Sequence, residues 1–281
     1  MLQTFVPEKT RNPSARRATI QRQLLLDGNV TVEMLARELG ASVATIRRDL
    51  TTLENDGIVR RTHGGATVTT PRGADQAFAL REQTDRDAKR GIARLAIQLV
   101  KTGQTLFMND GSTVLALARE IAASSIALTV VTPGANIAMT LSENQRVSTY
   151  LAGGLVRHRT LGTTGDFVER MLSVFNADLT FVAADGFSVS EGLMFSYEED
   201  AKIARIMNER ATTTVVLAAE SKLGQRDRIT AVPARFIDIL ITDCTDEVRI
   251  DEFRKLGVSV IVVSDAAPGA SANQAVPFAA T

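Results

Sequence analysis

Arg47-Arg48 and Arg60-Arg61 stand close together in the chain, the second pair followed by His63-Gly64-Gly65. A guanidinium presents a rigid fork of donors that matches phosphate oxygens and the paired acceptors of a guanine edge. Farther along, Asn109-Asp110-Gly111-Ser112-Thr113 puts a carboxylate, a glycine and two hydroxyls into one short turn. Such a turn lets backbone amides converge on an anion, most effectively where it opens a helix. Asp185 and Lys222 add an acid and an amine suited to proton transfer or to ligand binding. Which chemistry is done depends on the elements that hold these groups.

Stepping outward from the arginines, three helices are expected before residue 57. The first runs from about Ala15 to Leu26 and stops at Asp27-Gly28. Thr31 caps a second, in which Val32, Leu35, Ala36 and Leu39 share a face. After Gly40-Ala41, Ser42 caps a third, with Val43, Ile46, Leu50 and Leu53 as its buried stripe. On that third helix Arg48 points away from the stripe among Ala44, Thr45, Thr51 and Thr52, and Arg47 lies on its flank. Two helices joined by a tight turn, the second showing small and hydroxyl side chains around a guanidinium, form the helix-turn-helix plan. The weak alternation of Ile58-Val59-Arg60-Arg61-Thr62-His63-Gly64-Gly65 adds a hairpin, a wing beside the reading helix. The DNA-contacting set expected is therefore Ser42, Ala44, Thr45, Arg47, Arg48, Thr51, Arg60, Arg61 and His63.

Charge supports that division. The 281 residues carry 32 basic and 32 acidic side chains, yet up to Arg72 there are eleven basic against seven acidic, leaving the remainder acidic. A basic small end on an acidic large end suits a nucleic-acid reader with a second module. One cysteine, Cys244, excludes an internal disulfide and suits a reducing compartment. No apolar run is long enough for a bilayer span or a signal peptide, so a cytoplasmic location is expected. The two histidines, His63 and His158, and the lone cysteine make no metal-ligand spacing, and no Walker-type or dinucleotide loop is present. Neither a metal nor a cofactor is expected.

Beyond about Lys89, helical stretches alternate with short apolar runs: Thr105 to Asn109, Leu128 to Thr132, Ser148 to Ala152, Leu179 to Ala184, Thr213 to Ala218, Ile237 to Thr242 and Val258 to Val263. Alternation of this kind implies right-handed crossovers and a mainly parallel sheet covered on both faces. Ligands bind such sheets at the carboxyl ends of the strands. Those ends carry Asp110, Gly111, Ser112 and Thr113, then Thr132, Gly153-Gly154 with Arg157, Asp185-Gly186, and Lys222; His158 and Arg159 are further candidate phosphate partners. Together they suggest one crevice for a small polyol carrying an anionic group.

The chain resembles the DeoR family of bacterial transcription regulators. The motifs that carry the resemblance are Thr45 to Leu50 (TIRRDL), Leu53-Glu54 with Gly57, and Arg61 to Ala66 (RTHGGA) in the head. In the large domain they are Phe78, Arg81, Lys89 and Ile92-Ala93, then Gly103 to Thr113, Gly153-Gly154 and Ser221-Lys222. The resemblance implies a winged helix-turn-helix, an effector domain similar in fold to ribose-5-phosphate isomerases, and a phosphorylated sugar or polyol as effector. Three positions depart from the family pattern: Pro133 where an Asn commonly follows Thr132, Ala219 where an Asp usually stands, and Ala204 in place of a lysine.

The sequence thus describes an α/β protein: a winged helix-turn-helix over residues 15–70, a linker at 71–75, a mainly parallel α/β effector domain at 76–264 and a disordered tail at 265–281. The expected function is a DNA-binding regulator, a repressor of a carbohydrate-catabolism operon. It would bind double-stranded operator DNA as a homo-oligomer (dimer or tetramer) without a membrane partner. One alternative is an isomerase-like enzyme fused to a DNA-binding head, with Asp185 as base and Lys222 polarising a carbonyl; the isomerases' glycine-rich loop and Glu-Lys pair have no counterpart here. The other alternative is a large domain that only oligomerises.

Overall fold

The computed structural model describes residues 29–55, 59–62, 64–68, 78–157 and 160–263, with residues 13, 16, 17, 19, 20, 23 and 24 of the leading helix, α1. The expected linker and tail, His63, His158 and Arg159 lie outside the described residues. β1 (Asn29–Thr31) leads into α2 (Val32–Glu38), and α3 (Val43–Asn55) is followed by β2 (Val59–Thr62) and β3 (Gly65–Val68). The Thr31 hydroxyl accepts from the Met34 amide at 3.2 Å, and Ser42 Oγ accepts from the Thr45 amide at 3.1 Å, so both helices start where a side chain satisfies an open N–H. One core joins the head: Ile20 and Leu24 of α1, Leu35 and Leu39 of α2, Ile46, Leu50 and Leu53 of α3, with Val30, Val59 and Ala66 from the strands.

Two details differ from expectation. Val43 is exposed rather than part of the stripe. Helical side chains lean toward the N-terminus, so the first residue of α3 hangs over the turn before the helix instead of over the core. Asp49 takes a place on the buried face and pairs with the buried Arg16 of α1 at 2.6 Å. The wing is also a three-stranded sheet, order β1-β3-β2, because Val30 pairs with Ala66. A Cβ on Gly65 would come within 1.9 Å of the Val30 carbonyl oxygen, so only glycine lets β1 and β3 approach this closely.

The large domain begins with α4 (Phe78–Gln83) and α5 (Arg86–Ala96). β4 (Thr105–Met108), α6 (Ser112–Ala122), β5 (Leu128–Thr132), α7 (Ala135–Leu141) and β6 (Val147–Leu151) follow as alternating strands and helices. A short hairpin, β7 (Leu155–Val156) and β8 (Thr163–Thr164), precedes α8 (Asp166–Val174) and β9 (Ala177–Val182). β10 (Gly186–Ser188) and β11 (Gly192–Phe195) come before α9 (Glu198–Glu209) and β12 (Ala211–Leu217), then β13 (Ile229–Val232), β14 (Ile239–Thr242), α10 (Glu247–Lys255) and β15 (Ser259–Val262). Seven strands form one parallel sheet, ordered β15-β14-β12-β9-β4-β5-β6, and each coincides with one of the seven apolar runs. Period-two alternation divides each strand between two layers. Leu106 and Met108 of β4 pack with α5, α6 and α7, whereas Phe107 packs with α8 and α9 on the opposite face. β10, β11 and β13 make a separate small sheet.

The strand order sets where a ligand can enter. From β4 the chain winds one way through β5 and β6; it then returns to β9 on the other side of β4 and winds outward to β12, β14 and β15. Between β4 and β9 the connections diverge to opposite sides, which opens a crevice at the carboxyl ends of those two strands.

Candidate functional site

The crevice at that switch point is bordered by Asn109, the first residue after β4. Its amide nitrogen donates to the Ala183 carbonyl at 2.8 Å and its carbonyl oxygen accepts from the Ala183 amide at 3.1 Å, clipping the ends of β4 and β9 together. Asp110 and Gly111 then turn the chain into α6, whose N-terminus has no side-chain cap at Gly111. Its first amides therefore face the crevice with the positive end of the helix dipole. Thr113 is buried, and the Ser112 hydroxyl donates to the Arg81 carbonyl at 3.3 Å. A side chain at Gly111 would collide with Ala183, so this turn has little room for variation.

Around that turn the walls are charged. Arg81, Asp85, Lys89, Asp110, Asp185, Asp200 and Lys222 all line the crevice, with Thr160 closing one side. Lys89 is buried on α5, and its ammonium donates to the carbonyls of Arg81 and Thr84, the latter at 2.6 Å. An ammonium has three protons, so one donor remains for the crevice. Burial is the largest cause pulling its pKa down to about 8, with Lys222 adding to the fall and Asp85 opposing it.

Arg157, entering from the β7–β8 hairpin, bridges two carboxylates. Its guanidinium pairs with Asp200, lies 3.6 Å from Asp110 and sits over the Tyr197 ring. Burial opposes the charge of Arg157, but the bond to Asp200 and the charges of Asp200 and Asp110 outweigh it and raise its pKa. Asp200 is pushed up to about 7, first by burial and then by Asp110, against the pull of Arg157. Asp185 is also raised, chiefly by burial, although its carboxylate accepts the Ser196 amide at 3.1 Å. Two residues bordering the crevice, Asp85 and Leu161, are the non-glycine residues with positive φ among those described (54° and 57°). Strained backbone of this kind gathers at ligand sites.

Of the expected effector residues, Asp110, Gly111, Ser112, Thr113, Asp185 and Lys222 come together here, and Arg157 reaches in through its carboxylate partners. Four do not line it. The Thr132 hydroxyl is turned inward to accept the Gly134 amide at 3.0 Å. Gly153 is exposed with open space around its Cα, Gly154 is pressed against the Thr164 carbonyl, and Gly186 against that of Gln225. These are turn and packing glycines. Arg81, Lys89, Thr160 and Asp200 were not among the expected site residues, although Arg81 and Lys89 belong to the motifs that open the large domain. At the departure positions, Ala204 is buried in the core beneath α9, and Ala219 lines the crevice without a polar group.

On the head, Ser42, Ala44, Arg47 and Arg48 are exposed and Thr45 is half-buried. Hydrogen bonds order this surface. Thr45 and Ser42 hydroxyls are 2.8 Å apart, and the Thr51 hydroxyl donates to the Arg47 carbonyl at 2.9 Å. The wing is tied to the reading helix, because the Arg61 guanidinium donates to Thr51 Oγ1 at 3.3 Å and its amide to Glu54 at 3.1 Å. The side chain of Arg60 lies outside the described residues.

Two family models match the chain. Residues 16–72 match the DeoR-like helix-turn-helix domain, and residues 84–244 match the DeoR C-terminal sensor domain. The chain is 34% identical over 250 residues to the HTH-type transcriptional regulator GlpR of Haloferax volcanii, covering 89% of this chain and 97% of that one. It is 31% identical over 234 residues to the HTH-type transcriptional repressor GlcR of Bacillus subtilis, covering 83% and 90%. Ribose 5-phosphate isomerase A of Methanocaldococcus jannaschii is a more distant structural neighbour, 20% identical with a TM-score of 0.38, over 50% of this chain and 55% of that one.

Proposed function

This chain belongs to the DeoR family of transcription regulators, and from that premise we propose that it is a cytoplasmic repressor of a carbohydrate-catabolism operon, released from its operator by a phosphorylated sugar or polyol. Its relatives over most of its length are regulators, so the chain is a regulator and not an isomerase carrying a DNA-binding head. The observation that carries the effector assignment is the pairing, in one crevice, of an open helix N-terminus and the amines of Lys89 and Lys222 with the carboxylates of Asp110, Asp185 and Asp200. Amides and ammonium groups suit a phosphate. Carboxylates, which only accept when ionised, suit the hydroxyls of a polyol.

In this reading Arg47 and Arg48 on the helix and Arg60, Arg61 and His63 on the wing hold DNA, with Ser42, Ala44, Thr45 and Thr51 at the groove. The chain works as a homo-oligomer, because a helix-turn-helix reads paired half-sites and the separation of two heads then governs affinity. The test is calorimetric titration of the intact protein with sugar and polyol phosphates and with the same compounds unphosphorylated. Binding of a phosphorylated member, weakened in a Ser112→Ala, Thr113→Ala variant that still binds operator DNA, is the expected result. Equal binding of the unphosphorylated partner would contradict the phosphate assignment.

A further inference from the structure

The two edges of the parallel sheet differ. One is β15; the other is β6, Val147-Ser148-Thr149-Tyr150-Leu151, which has neither a charged residue nor a proline. Natural edge strands are usually blunted by a lysine, a proline or a bulge. The elements around β6 expose several large apolar side chains. Tyr150 and Leu151 are 46% and 43% exposed, and Met139 of α7, Leu155 and Val156 of β7, and Phe167 and Val174 of α8 are between 50% and 77% exposed.

The elements that carry these side chains pack at the β6 end of the sheet. Leu141 of α7 shares a core with Val147 on one face of β6. On the other face Val168 and Leu172 of α8 share a core with Ala152, and the Tyr150 ring lies 5.1 Å from Phe175 at the end of α8. Phe167 and Val174 are two helical turns apart, so they share the outward side of α8, with the exposed Arg170 between them. A monomer's largest apolar patch is typically about 300–600 Å². Large side chains exposed to this extent amount to several hundred Å², the scale of the roughly 800 Å² that each partner buries in a standard interface.

We infer that this edge is where a second copy of the chain docks, the patch meeting its own counterpart about a twofold axis; this rests on the reading above that the regulator works as a homo-oligomer. A surface with no charge along its strand is self-complementary, as a twofold interface requires. β15, the last strand described, lies six strand spacings or about 29 Å from β6. The interface also adjoins the effector crevice, since Leu155 and Val156 run directly into Arg157, which spans Asp110 and Asp200. A ligand that competes for those carboxylates therefore pulls on the strand bordering the second copy.

Sedimentation velocity on the intact protein across micromolar concentrations tests the surface. Wild type should sediment as a dimer or tetramer. A Phe167→Glu, Val174→Glu variant and a Phe167→Lys, Val174→Lys variant should each show half that mass, and mixing the two should restore it, since opposite charges then face each other. Both positions are exposed in the single chain, so circular dichroism should be unchanged; Leu155→Asp, on a different element, should halve the mass as well. A wild type of 30.3 kDa at all concentrations would remove the oligomeric reading itself. An oligomeric wild type whose variants keep its mass, or half-mass variants that do not recover on mixing, would overturn this surface.

Discussion

Lys89 is the crevice group whose charge is easiest to change, because burial has brought its pKa to about 8. If its ammonium meets the effector's phosphate, binding favours the protonated form and raises that pKa back toward its ordinary value. Affinity should then be full below about pH 8 and fall as the pH rises above it, with proton uptake on binding in that range. Calorimetry in two buffers of different ionisation enthalpy measures the uptake; Lys89→Met should abolish it and weaken binding. Asp200 is shifted in the opposite direction, upward. The folded chain holds its proton up to about pH 7, whereas an unfolded carboxyl releases it near pH 4. The folded state binds more protons between those values, so Asp200 makes stability fall as pH rises through the window. Urea midpoints on either side of it should differ less in Asp200→Asn than in wild type. Asp200 did not stand out in the sequence, where it lies in a run of acids, and Lys89 entered only as a motif residue with no place in the crevice. What buries them is packing between elements far apart in the chain. Asp49 was more legible, since it falls with Ile46, Leu50 and Leu53 at helical spacing on the packed face of α3. Its inward turn toward Arg16 could have been read from that spacing.

At the scale of elements, the strands that alternate with helical stretches declared themselves and the others did not. The seven sheet strands, three of them only four residues long, were marked by that alternation, and the two helices of the helix-turn-helix by helical spacing. β1, β7, β8 and the sheet of β10, β11 and β13 are strands of two to four residues that lie outside that alternation. The hairpin of β7 and β8 matters most, because it carries Arg157 to the crevice and Gly162 against Asp110. A Cβ at residue 162 would stand 2.0 Å from the Asp110 carboxylate oxygen. Gly162→Ala should therefore displace Asp110 and loosen its contact with Arg157. Effector affinity should fall at least about tenfold, roughly 1.4 kcal/mol, while operator affinity in the absence of effector stays unchanged. Calorimetry and a DNA-shift titration on the same preparation separate the two. The Gly153-Gly154 pair showed the reverse problem: glycines at a strand end look like a ligand loop, but these two serve a turn and a close packing contact.

For the whole molecule, strand order does what no single motif does. Asp110, Asp185 and Lys222 are far apart in the chain and meet because β4, β9 and β12 are neighbours, with the winding direction reversing between β4 and β9. The alternation of strands and helices foretold a parallel sheet, but the reversal that locates the crevice depends on which strands pair, and strand pairing is not written in local periodicity. The same holds for the apolar edge at β6, whose residues come from four separate elements. The charge asymmetry only supported a head and a large domain read from the motifs, and the account joins them through a change in the spacing of paired heads. The measurement that tests this most directly is a DNA-shift titration on the protein's own upstream region, run with a panel of sugar and polyol phosphates and with their unphosphorylated counterparts. The account predicts specific binding that one phosphorylated compound releases and its unphosphorylated form does not. Specific binding that no compound alters would contradict it.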